Sequence, residues 1–388
     1  MTRFRKAAIV VLDGVGAGAA PDAAAFGDEG SNTLGNTARA VGGLSLPNFE
    51  RLGLGRVVPM DGVRPVDAPA ASFGRLRQRS AGKDTTTGHW EMSGVLVRNP
   101  MPTYPRGFPD EIMERFAQVA GKPALTNEVA SGTEIITRRG EDHQRTGRSI
   151  VYTSADSVFQ IAAHEDTVPL AEQYRVCREM RAVLAGPHAV GRVIARPFAG
   201  EPSAYTRTNN RRDFSLEPSG TTVLDLVSGA GKDVIAVGKI DDIFAGRGIT
   251  RTEHVLPNDE CVTATIDALC SMDDGLVFTN LIEFDMNFGH RNDPHGMAGA
   301  LRALDARVPE LLEAAADSLL CFTADHGNDP TTASTDHSRE FAPLLVWTGR
   351  RGVDLGTRDS FADLGATIAD ALGVPALAHG TSFLGELP

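Results

Sequence analysis

Aspartate and histidine residues stand at several points where apolar runs of this sequence end. Asp325 and His326 are adjacent in the segment Asp-His-Gly-Asn, so both side chains can turn toward one cation where the chain leaves a strand. Taken singly, such residues are usually turn, cap or packing residues. Several of them converging on one edge of a sheet would instead form a shared site. The six candidate metal ligands are Asp13, Asp285, His290, Asp325, His326 and His337.

This donor set predicts a centre that holds two divalent metal ions. Three carboxylates and three imidazoles suit cations such as Mn²⁺ or Zn²⁺. Two metals about 3.5–4 Å apart can clamp an attacking oxygen and a phosphoryl oxygen together. Two dications and three carboxylates leave a net charge of about +1, which attracts a phosphate dianion and stabilises the charge that develops during transfer. The pattern therefore indicates phosphoryl-transfer chemistry.

A run of three threonines, Thr85, Thr86 and Thr87, offers a nucleophile for that chemistry. A threonine hydroxyl must be activated, and a metal ion can do this by lowering its pKa. The alternative is a threonine-rich helix cap, but the neighbouring metal candidates favour the nucleophile. The sequence leaves open which hydroxyl reacts. It also leaves open whether His89 is a metal ligand or a packing or supporting residue.

Two glycine-rich segments imitate nucleotide-binding motifs. Residues 14–18 follow an apolar run, but their spacing is G-x-G-x-G, and Asp13 would place a carboxylate where a pyrophosphate must lie. Gly82 and Lys83 resemble the end of a P-loop, but Asp84 replaces the required Ser or Thr. We therefore predict no nucleotide-binding fold.

The elements that must position these residues follow an α/β pattern. Short apolar, β-branched runs alternate with segments in which apolar residues recur at helical spacing. Continuous apolar strands of this kind predict a mainly parallel sheet flanked by helices on both faces. Sites in such sheets form outside the carboxyl ends of the strands. The predicted strands are residues 7–12, 234–237, 276–284, 319–324 and 343–347, and the predicted helices are 297–316 and 361–372.

A block in the middle of the chain interrupts this rhythm. Residues 150–152 and 190–195 are strand-like, and residues 170–185 have helical spacing. Acidic and basic residues balance within the block, so the whole net charge of −12 lies outside it. The predicted domains are an inserted α+β cap at 101–217 and a discontinuous catalytic core formed by 1–100 and 218–388.

Composition limits the partners of the protein. With a net charge of −12, the chain lacks the basic surplus of a nucleic-acid binder. No stretch approaches the ~18–20 apolar residues of a membrane helix. The four cysteines form no C-x-x-C pair, which is typical of thiols in a reducing compartment. We expect a cytoplasmic protein that binds a small molecule and neither nucleic acid nor membrane; its oligomeric state stays open.

Seven segments of the sequence resemble bacterial phosphopentomutases of the alkaline phosphatase superfamily. They follow in order along the chain, and the second and third are specific to the mutase, whereas the Asp-His segments are shared across the superfamily. The segments are Leu-Asp-Gly-Val-Gly at 12–16, Gly-Lys-Asp-Thr-Thr-Thr-Gly-His-Trp-Glu at 82–91, Tyr-Thr-Ser-Ala-Asp-Ser-Val at 152–158, Phe-Asp-Met-Asn-Phe-Gly-His-Arg at 284–291, Thr-Ala-Asp-His-Gly-Asn-Asp-Pro at 323–330, Thr-Asp-His-Ser-Arg-Glu at 335–340 and Gly-Thr-Ser-Phe-Leu at 380–384.

The resemblance implies an alkaline-phosphatase-like core with an inserted cap, and an enzyme that interconverts ribose 1-phosphate and ribose 5-phosphate and their 2-deoxy forms. It implies two Mn²⁺ ions, a phosphothreonine, a pentose 1,5-bisphosphate intermediate and a sugar bisphosphate as primer. Thr85 would carry the phosphoryl group. One metal would be held by Asp13, Asp325 and His326 and the other by Asp285, His290 and His337, while Ser154 and Asp156 would contact the sugar and Arg207 and Lys239 the distal phosphate.

Two other classes of protein compete with this interpretation. A phosphatase or another phosphomutase of the same superfamily would share the metal site. The sulfatase branch would need a C-x-P-x-R setting, which is absent from the sequence. A non-catalytic phosphosugar-binding protein would not need all six metal candidates together with a threonine nucleophile.

Overall fold

The computed structural model describes residues 4–154 and 156–388. The chain forms two compact units, the first consisting of Met1–Asn99 with Pro218–Pro388 and the second of Pro100–Glu217. The second unit covers the block that the sequence analysis assigned to an inserted domain. Its role as a cap stays a prediction.

Fourteen strands lie in the described residues, and they belong to two sheets. In chain order they are β1 (Lys6–Leu12), β2 (Ser72–Leu76), β3 (Thr126–Val129), β4 (Ile150–Thr153), β5 (Val158–His164), β6 (Arg192–Ala199), β7 (Thr206–Arg207), β8 (Arg212–Ser215), β9 (Asp233–Val237), β10 (Arg251–Glu253), β11 (Gly275–Leu281), β12 (Ser318–Thr323), β13 (Ala342–Trp347) and β14 (Asp354–Arg358).

Twelve α-helices lie in the same described residues. They are α1 (Thr33–Ala40), α2 (Pro47–Leu52), α3 (Leu54–Val57), α4 (Thr85–Met92), α5 (Asp110–Ala120), α6 (Gly132–Thr146), α7 (Leu170–Val183), α8 (Val223–Gly229), α9 (Ile240–Phe244), α10 (Asn258–Ser271), α11 (Pro294–Ala314) and α12 (Ala362–Leu372). Within the described residues, no helix is long and apolar enough to cross a membrane.

The first unit is built on an eight-stranded sheet with the order β10-β9-β11-β1-β12-β13-β2-β14. Strands β9, β11, β1 and β12 run parallel to one another. In β1, Ala8 and Val10 join one core cluster with residues of α1, α2 and α11, while Ile9 and Val11 are equally buried on the opposite face. The sheet is therefore covered on both sides, as the continuous apolar runs predicted.

Some boundaries differ from the sequence prediction, and each difference has a local cause. The strand predicted at 276–284 ends at Leu281, because a π-helical turn, Phe284–Phe288, follows it. The strand predicted at 343–347 is β13, which runs antiparallel to both neighbours. Strands β2, β10 and β14 are missing from the prediction because they carry no continuous apolar run. The α/β class with a mainly parallel sheet is confirmed.

The second unit contains its own six-stranded sheet, in which β3, β4, β5, β6 and β7 follow in order and β8 also pairs with β6. Two hydrophobic clusters, one around Phe116 and Phe159 and one around Ile135 and Phe198, pack helices against this sheet. The unit therefore has an α+β structure and a core of its own.

Candidate active site

Three neighbouring parallel strands bring three of the predicted carboxylates to one edge of the sheet. Strand β1 lies between β11 and β12. Asp13 directly follows β1, Asp325 follows β12, and Asp285 lies in the π-helical turn after β11. The carboxyl ends of parallel strands meet at one edge, so the convergence is a consequence of the strand order. Single-turn π segments are frequent at functional sites.

Asp13, Asp325 and His326 form the first group, here called triad A. Their ligand atoms all lie within 4.8 Å of one another, and all three side chains are buried. His326 Nε2 lies 3.3 Å from Asp13 Oδ1 and 3.3 Å from Asp325 Oδ2. This arrangement offers two carboxylates and one imidazole to a single point.

Asp285, His290 and His337 form the second group, here called triad B, which meets the same distance limit. His290 Nε2 lies 3.1 Å from Asp285 Oδ2, and His337 Nε2 lies 3.5 Å from Asp285 Oδ1. An antiparallel bridge between Gly327 and Ser338 folds the chain back after His326 and so returns His337 to the site. The rings of His326 and His337 are 4.0 Å apart between centroids, so the two triads are adjacent.

The hydrogen bonds of the histidines test whether the triads fit metal ions. His326 Nδ1 lies 3.0 Å from the carbonyl of Gly327, and His290 Nδ1 lies 2.6 Å from the carbonyl of Thr335. A carbonyl only accepts, so we assign the proton of each neutral ring to Nδ1. In a neutral ring each Nε2 then turns a lone pair toward carboxylate oxygens, and a metal ion or a proton between the two atoms would stabilise that contact.

A further atom supports the same conclusion. The buried Nε2 of His337 has no hydrogen-bond partner among the described residues, although it faces the Asp285 carboxylate. Neutral imidazole and carboxylate together are ligands for divalent transition metals. The residues of both triads therefore fit one divalent cation each.

The pKa values reflect the concentration of negative charge. Burial, together with the nearby Asp325 carboxylate, raises the pKa of Asp13. The hydrogen bond to Asp285 raises the pKa of His290 to about 9. Burial alone would lower the pKa of His326, but the carboxylates of Asp325 and Asp13 outweigh it and raise that pKa well above its ordinary value. The carboxylates therefore favour positive charge at this site, whether from protons or from metal ions.

Thr85 is the threonine of the triplet that contacts a triad. Its hydroxyl lies 3.1 Å from His326 Nε2 and 3.4 Å from Asp13 Oδ1. It occupies the first position of α4, and Asp84 caps this helix by accepting a hydrogen bond from Thr87 N. The Thr87 hydroxyl also donates to Asp84. No hydrogen bond of the Thr86 hydroxyl is found in the part of the chain that the structure describes.

The predicted substrate residues lie in both units. Lys239 follows β9 in the first unit, so it stands at the same sheet edge as the triads. In the second unit, Ser154 follows β4, and Asp156 N donates to its hydroxyl at 3.4 Å. Arg207 lies in β7, and its guanidinium is close enough to the Tyr152 hydroxyl to lower the pKa of that group. Their roles in binding substrate stay predictions.

Two amides that support the triads were missed by sequence reasoning, and the role of a third residue, His89, had been left open. Asn280, buried in β11, donates to Asp13 Oδ2 at 2.7 Å, and Asn328 donates to Asp285 Oδ1 at 2.7 Å. His89 is buried and lies outside both triads, with Nδ1 2.8 Å from the Thr85 carbonyl and 3.2 Å from Asp325 Oδ2. It is therefore a supporting residue. An amide inside an otherwise apolar strand is the signal that could have identified Asn280.

Comparison with known proteins defines the class first. A family model described as the metalloenzyme superfamily matches residues 5–376. The chain therefore belongs to this superfamily of metal-dependent enzymes, and two candidate metal-binding triads agree with that membership.

Two curated relatives define the family. The chain is 54% identical to the phosphopentomutase of Caldanaerobacter subterraneus subsp. tengcongensis, over 99% of this chain and 98% of that protein. It is 57% identical to the phosphopentomutase of Anaeromyxobacter dehalogenans strain 2CP-C, over 100% and 99% of the two chains. The chain belongs to the phosphopentomutase family, which are isomerases of the intramolecular phosphotransferase type. The family predicted from the sequence motifs is confirmed.

Solved structures give a weaker likeness. A phosphoglycerate mutase of Leishmania mexicana is 13% identical and covers 98% of this chain and 97% of its own, with a TM-score of 0.49. This value adds nothing to the relationship that the sequence identities establish.

Proposed function

We propose that the protein interconverts ribose 1-phosphate and ribose 5-phosphate, and the corresponding 2-deoxyribose phosphates, through a phosphothreonine at Thr85. The observation that carries the proposal is the position of the Thr85 hydroxyl, 3.1 Å from His326 Nε2 and 3.4 Å from Asp13 Oδ1. A hydroxyl beside a cation-binding triad can be activated as a nucleophile. Its place in the first turn of α4 also favours an anionic phosphoryl group.

The other two threonines are poorer candidates. The Thr87 hydroxyl donates to Asp84 Oδ2 at 2.6 Å, and so contributes to the cap of α4. The cap fixes where the helix begins and therefore where Thr85 stands.

His89, in the next turn of the helix, faces both the Thr85 carbonyl and the Asp325 carboxylate. It ties the nucleophile to triad A.

In this proposal triads A and B hold one divalent cation each, and both cations are Mn²⁺. Bound there, the cations would supply Lewis-acid activation of the Thr85 hydroxyl and of phosphoryl oxygens. The buried amides of Asn280 and Asn328 orient the carboxylates of Asp13 and Asp285 for that purpose.

The reaction begins with phosphorylated Thr85. The phosphoryl group passes to the free hydroxyl of the pentose monophosphate: the bond from phosphorus to Thr85 Oγ1 breaks, the bond to the sugar oxygen forms, and the proton of the sugar hydroxyl passes in net to Thr85 Oγ1. The pentose 1,5-bisphosphate then reorients, and its other phosphate returns to Thr85. A sugar bisphosphate primes the enzyme because unphosphorylated Thr85 must first receive a phosphoryl group.

The substrate contacts in this proposal come from both units. Ser154 and Asp156 bind hydroxyls of the sugar, and Arg207 and Lys239 bind the distal phosphate. The role of Arg207 is supported by its neighbours, because Arg196, Arg207 and Arg211 all lie close enough to the Tyr152 hydroxyl to lower its pKa. We propose that this unit acts as a cap that excludes water during the exchange, since a mutase must avoid hydrolysis.

The main experiment measures the conversion of ribose 5-phosphate to ribose 1-phosphate by phosphorus NMR, with Mn²⁺ and a sugar bisphosphate primer. The wild-type protein should interconvert the two isomers. Thr85→Ala should lose activity by about 10⁴-fold or more, because the nucleophile is removed. Thr86→Ala is the matched control and should keep activity within about threefold of the wild type.

Two outcomes would contradict the proposal. Release of inorganic phosphate without isomerisation would indicate a phosphatase with the same metal site. Full activity of Thr85→Ala would exclude Thr85 as the phosphoryl carrier. Intact-mass measurement and peptide mapping would locate the phosphoryl group independently of turnover.

The substrate contacts have a separate experiment. Asp156→Ala should reduce transfer by about 10- to 100-fold, because a sugar that is not held in place reacts slowly, while both metals stay bound. Metal content is measured by inorganic mass spectrometry on the same sample. Loss of metal in this variant would show that Asp156 has a different role.

A further inference from the structure

Arg339 lies between His337 of triad B and β13, and its side chain is almost completely buried. Burying a guanidinium is costly unless its N–H groups find acceptors. Here Nη2 and Nε face the Asp22 carboxylate, at 2.9 Å and 3.2 Å. Nη1 lies 2.8 Å from Gln78 Oε1. The charge of Arg339 is therefore matched within the protein.

The remaining acceptors of Arg339 are backbone carbonyls of one segment, residues 78–82. Nη2 donates to the carbonyl of Gln78 at 2.9 Å, and Nη1 lies 2.8 Å from the carbonyl of Ser80 and 2.9 Å from that of Gly82. This segment leads directly into Asp84 and Thr85. Arg339 therefore fixes the backbone through which the chain enters α4.

A second link joins the chain around Arg339 to the segment that leads into α4. The backbone N–H of Arg339 donates to Asp28 Oδ2 at 2.8 Å, and the Lys83 ammonium donates to that same oxygen at 3.0 Å. Lys83 and residues 78–82 together form the approach to the nucleophile, here called the approach segment. The chain that carries His337 is thus bound to the approach segment by both a side chain and a shared carboxylate.

We infer that Arg339 is a positioning residue that sets the distance between the Thr85 hydroxyl and the metal triads. It reaches the reaction only through the approach segment, because its guanidinium N–H groups are directed at protein acceptors. A lysine has one ammonium group and cannot match acceptors that lie in several directions in one plane. This inference rests on the proposed role of Thr85.

The experiment compares Arg339→Lys with the wild type and with Arg302→Lys, a control on the exposed side of α11. With Mn²⁺ and primer, kcat of Arg339→Lys should fall by about 10- to 100-fold, because a small displacement of the nucleophile is costly. KM should stay within about twofold, and the metal content should stay at two ions per chain. Arg302→Lys should match the wild type in all three quantities.

Other results would overturn the inference. A raised KM with unchanged kcat would make Arg339 a substrate-binding residue. Loss of metal would make it a support of triad B alone. Unchanged kcat would exclude a positioning role, and if Thr85→Ala were still inactive the proposed function would survive that failure.

A second variant keeps the inference testable if Arg339→Lys does not fold. Asp22→Asn removes the charged partner of the guanidinium from a half-exposed position, so it disturbs the core less. It should lower kcat in the same way, by about threefold to tenfold, with KM and metal content unchanged. A thermal midpoint below the wild type together with wild-type kcat at low temperature would show a purely structural role.

Discussion

Triads A and B are both built from aspartate and histidine, in the ratios two to one and one to two, and they differ in how the fold holds them. Triad A stands at the ends of β1 and β12, and its three residues are buried. Triad B depends on a π-helical turn, a 3₁₀ turn and a loop, and the side chains of His290 and His337 are 33% and 17% exposed. Geometry fixed by strands is rigid, whereas loop geometry is more mobile. On the proposed assignment of one cation to each triad, this difference predicts tight binding at triad A and faster exchange at triad B.

Buried polar groups support both triads: Asn328 donates to Asp285 of triad B at 2.7 Å, and several groups support triad A. Asp13 is held by Asn280 from the neighbouring strand, and Asp325 by the N–H of Gly14 and by His89. Gly14 has a positive φ of 73°, and an added Cβ would lie 3.1 Å from Asp285 Oδ1. A larger residue at this position would disturb both triads, because Gly14 lies against a carboxylate of each, Asp325 and Asp285.

The largest expected effect is the loss of a triad A carboxylate. Asp325→Asn should lower activity by about 10⁴-fold, because it removes a ligand and a negative charge that no other residue replaces. The Mn²⁺-induced rise in thermal midpoint should also disappear. Activity and differential scanning calorimetry, each with and without Mn²⁺, measure the two effects.

Asp317→Asn is the control for this variant, since Asp317 is an exposed acid of the same unit. It should leave both quantities unchanged. If Asp325→Asn kept the full Mn²⁺-induced stabilisation, triad A would not be the tighter site, and the difference between the triads would be wrong.

A smaller effect is expected at triad B. His337→Ala should reduce the metal content from two ions to one and lower activity by about 10²- to 10³-fold, while most of the Mn²⁺-induced stabilisation stays. The reason is that triad A keeps all its ligands. Metal analysis after gel filtration measures this, with His254→Ala at an exposed histidine as the control. Loss of both ions would mean that the triads bind metal as one cooperative unit.

The supporting amides allow a matched comparison with a milder change. Asn280→Ala removes the donor to Asp13, and Asn328→Ala removes the donor to Asp285. Each should weaken Mn²⁺ binding by about 10- to 100-fold, because the partners of metal ligands orient them. Titration of metal-free protein by calorimetry should assign the first loss to the tighter site and the second to the weaker one. The reverse assignment would contradict the proposed difference in burial.

The sequence predicted the ligand types and the family but not the local support. Asp13, Asp285 and Asp325 were identified because apolar strands end beside them, and the parallel order of β11, β1 and β12 then brings them together. Predicting that these residues share the carboxyl edge of one sheet requires only strand periodicity and short-range spacing. Triad and supporting contacts depend on backbone geometry, which residue types alone do not encode.

Arg339 and Glu340 illustrate what was missed. Both appear in the motif at 335–340, but their partners are far away in sequence, at Gln78 and at Gly18 and Thr33. The glycines at 14–18 have a related explanation, since an added Cβ at Gly16 would overlap Glu340 Oε2. Their spacing leaves room for a buried carboxylate. Long-range pairing of this kind becomes visible only when the sheet is assembled.

The smallest expected effect concerns Glu340, a buried carboxylate that joins the chain after Asp13 to the residue next to His337. Its Oε2 accepts hydrogen bonds from Gly18 N and Thr33 N, in the chain that follows Asp13. Its Oε1 accepts from the hydroxyls of Thr33 and Ser338, the latter next to His337. Burial raises the pKa of Glu340 to about 7. The group therefore binds a proton more tightly in the folded chain than in the unfolded one.

This shift gives a definite sign for the dependence of stability on pH. A raised pKa contributes stability that is fully present below the unfolded value of about 4.5 and is lost as the pH rises through about 7. Glu340→Gln should remove that dependence, because its amide oxygen can accept from the two backbone N–H groups while its NH₂ group donates to the two hydroxyls. The thermal midpoint of the variant, relative to the wild type, should rise by roughly 2–5 °C between pH 5 and pH 7.5 in metal-free protein. A constant difference across this range would mean that Glu340 is ionised throughout, and that the loops of the two triads are held by a charged group.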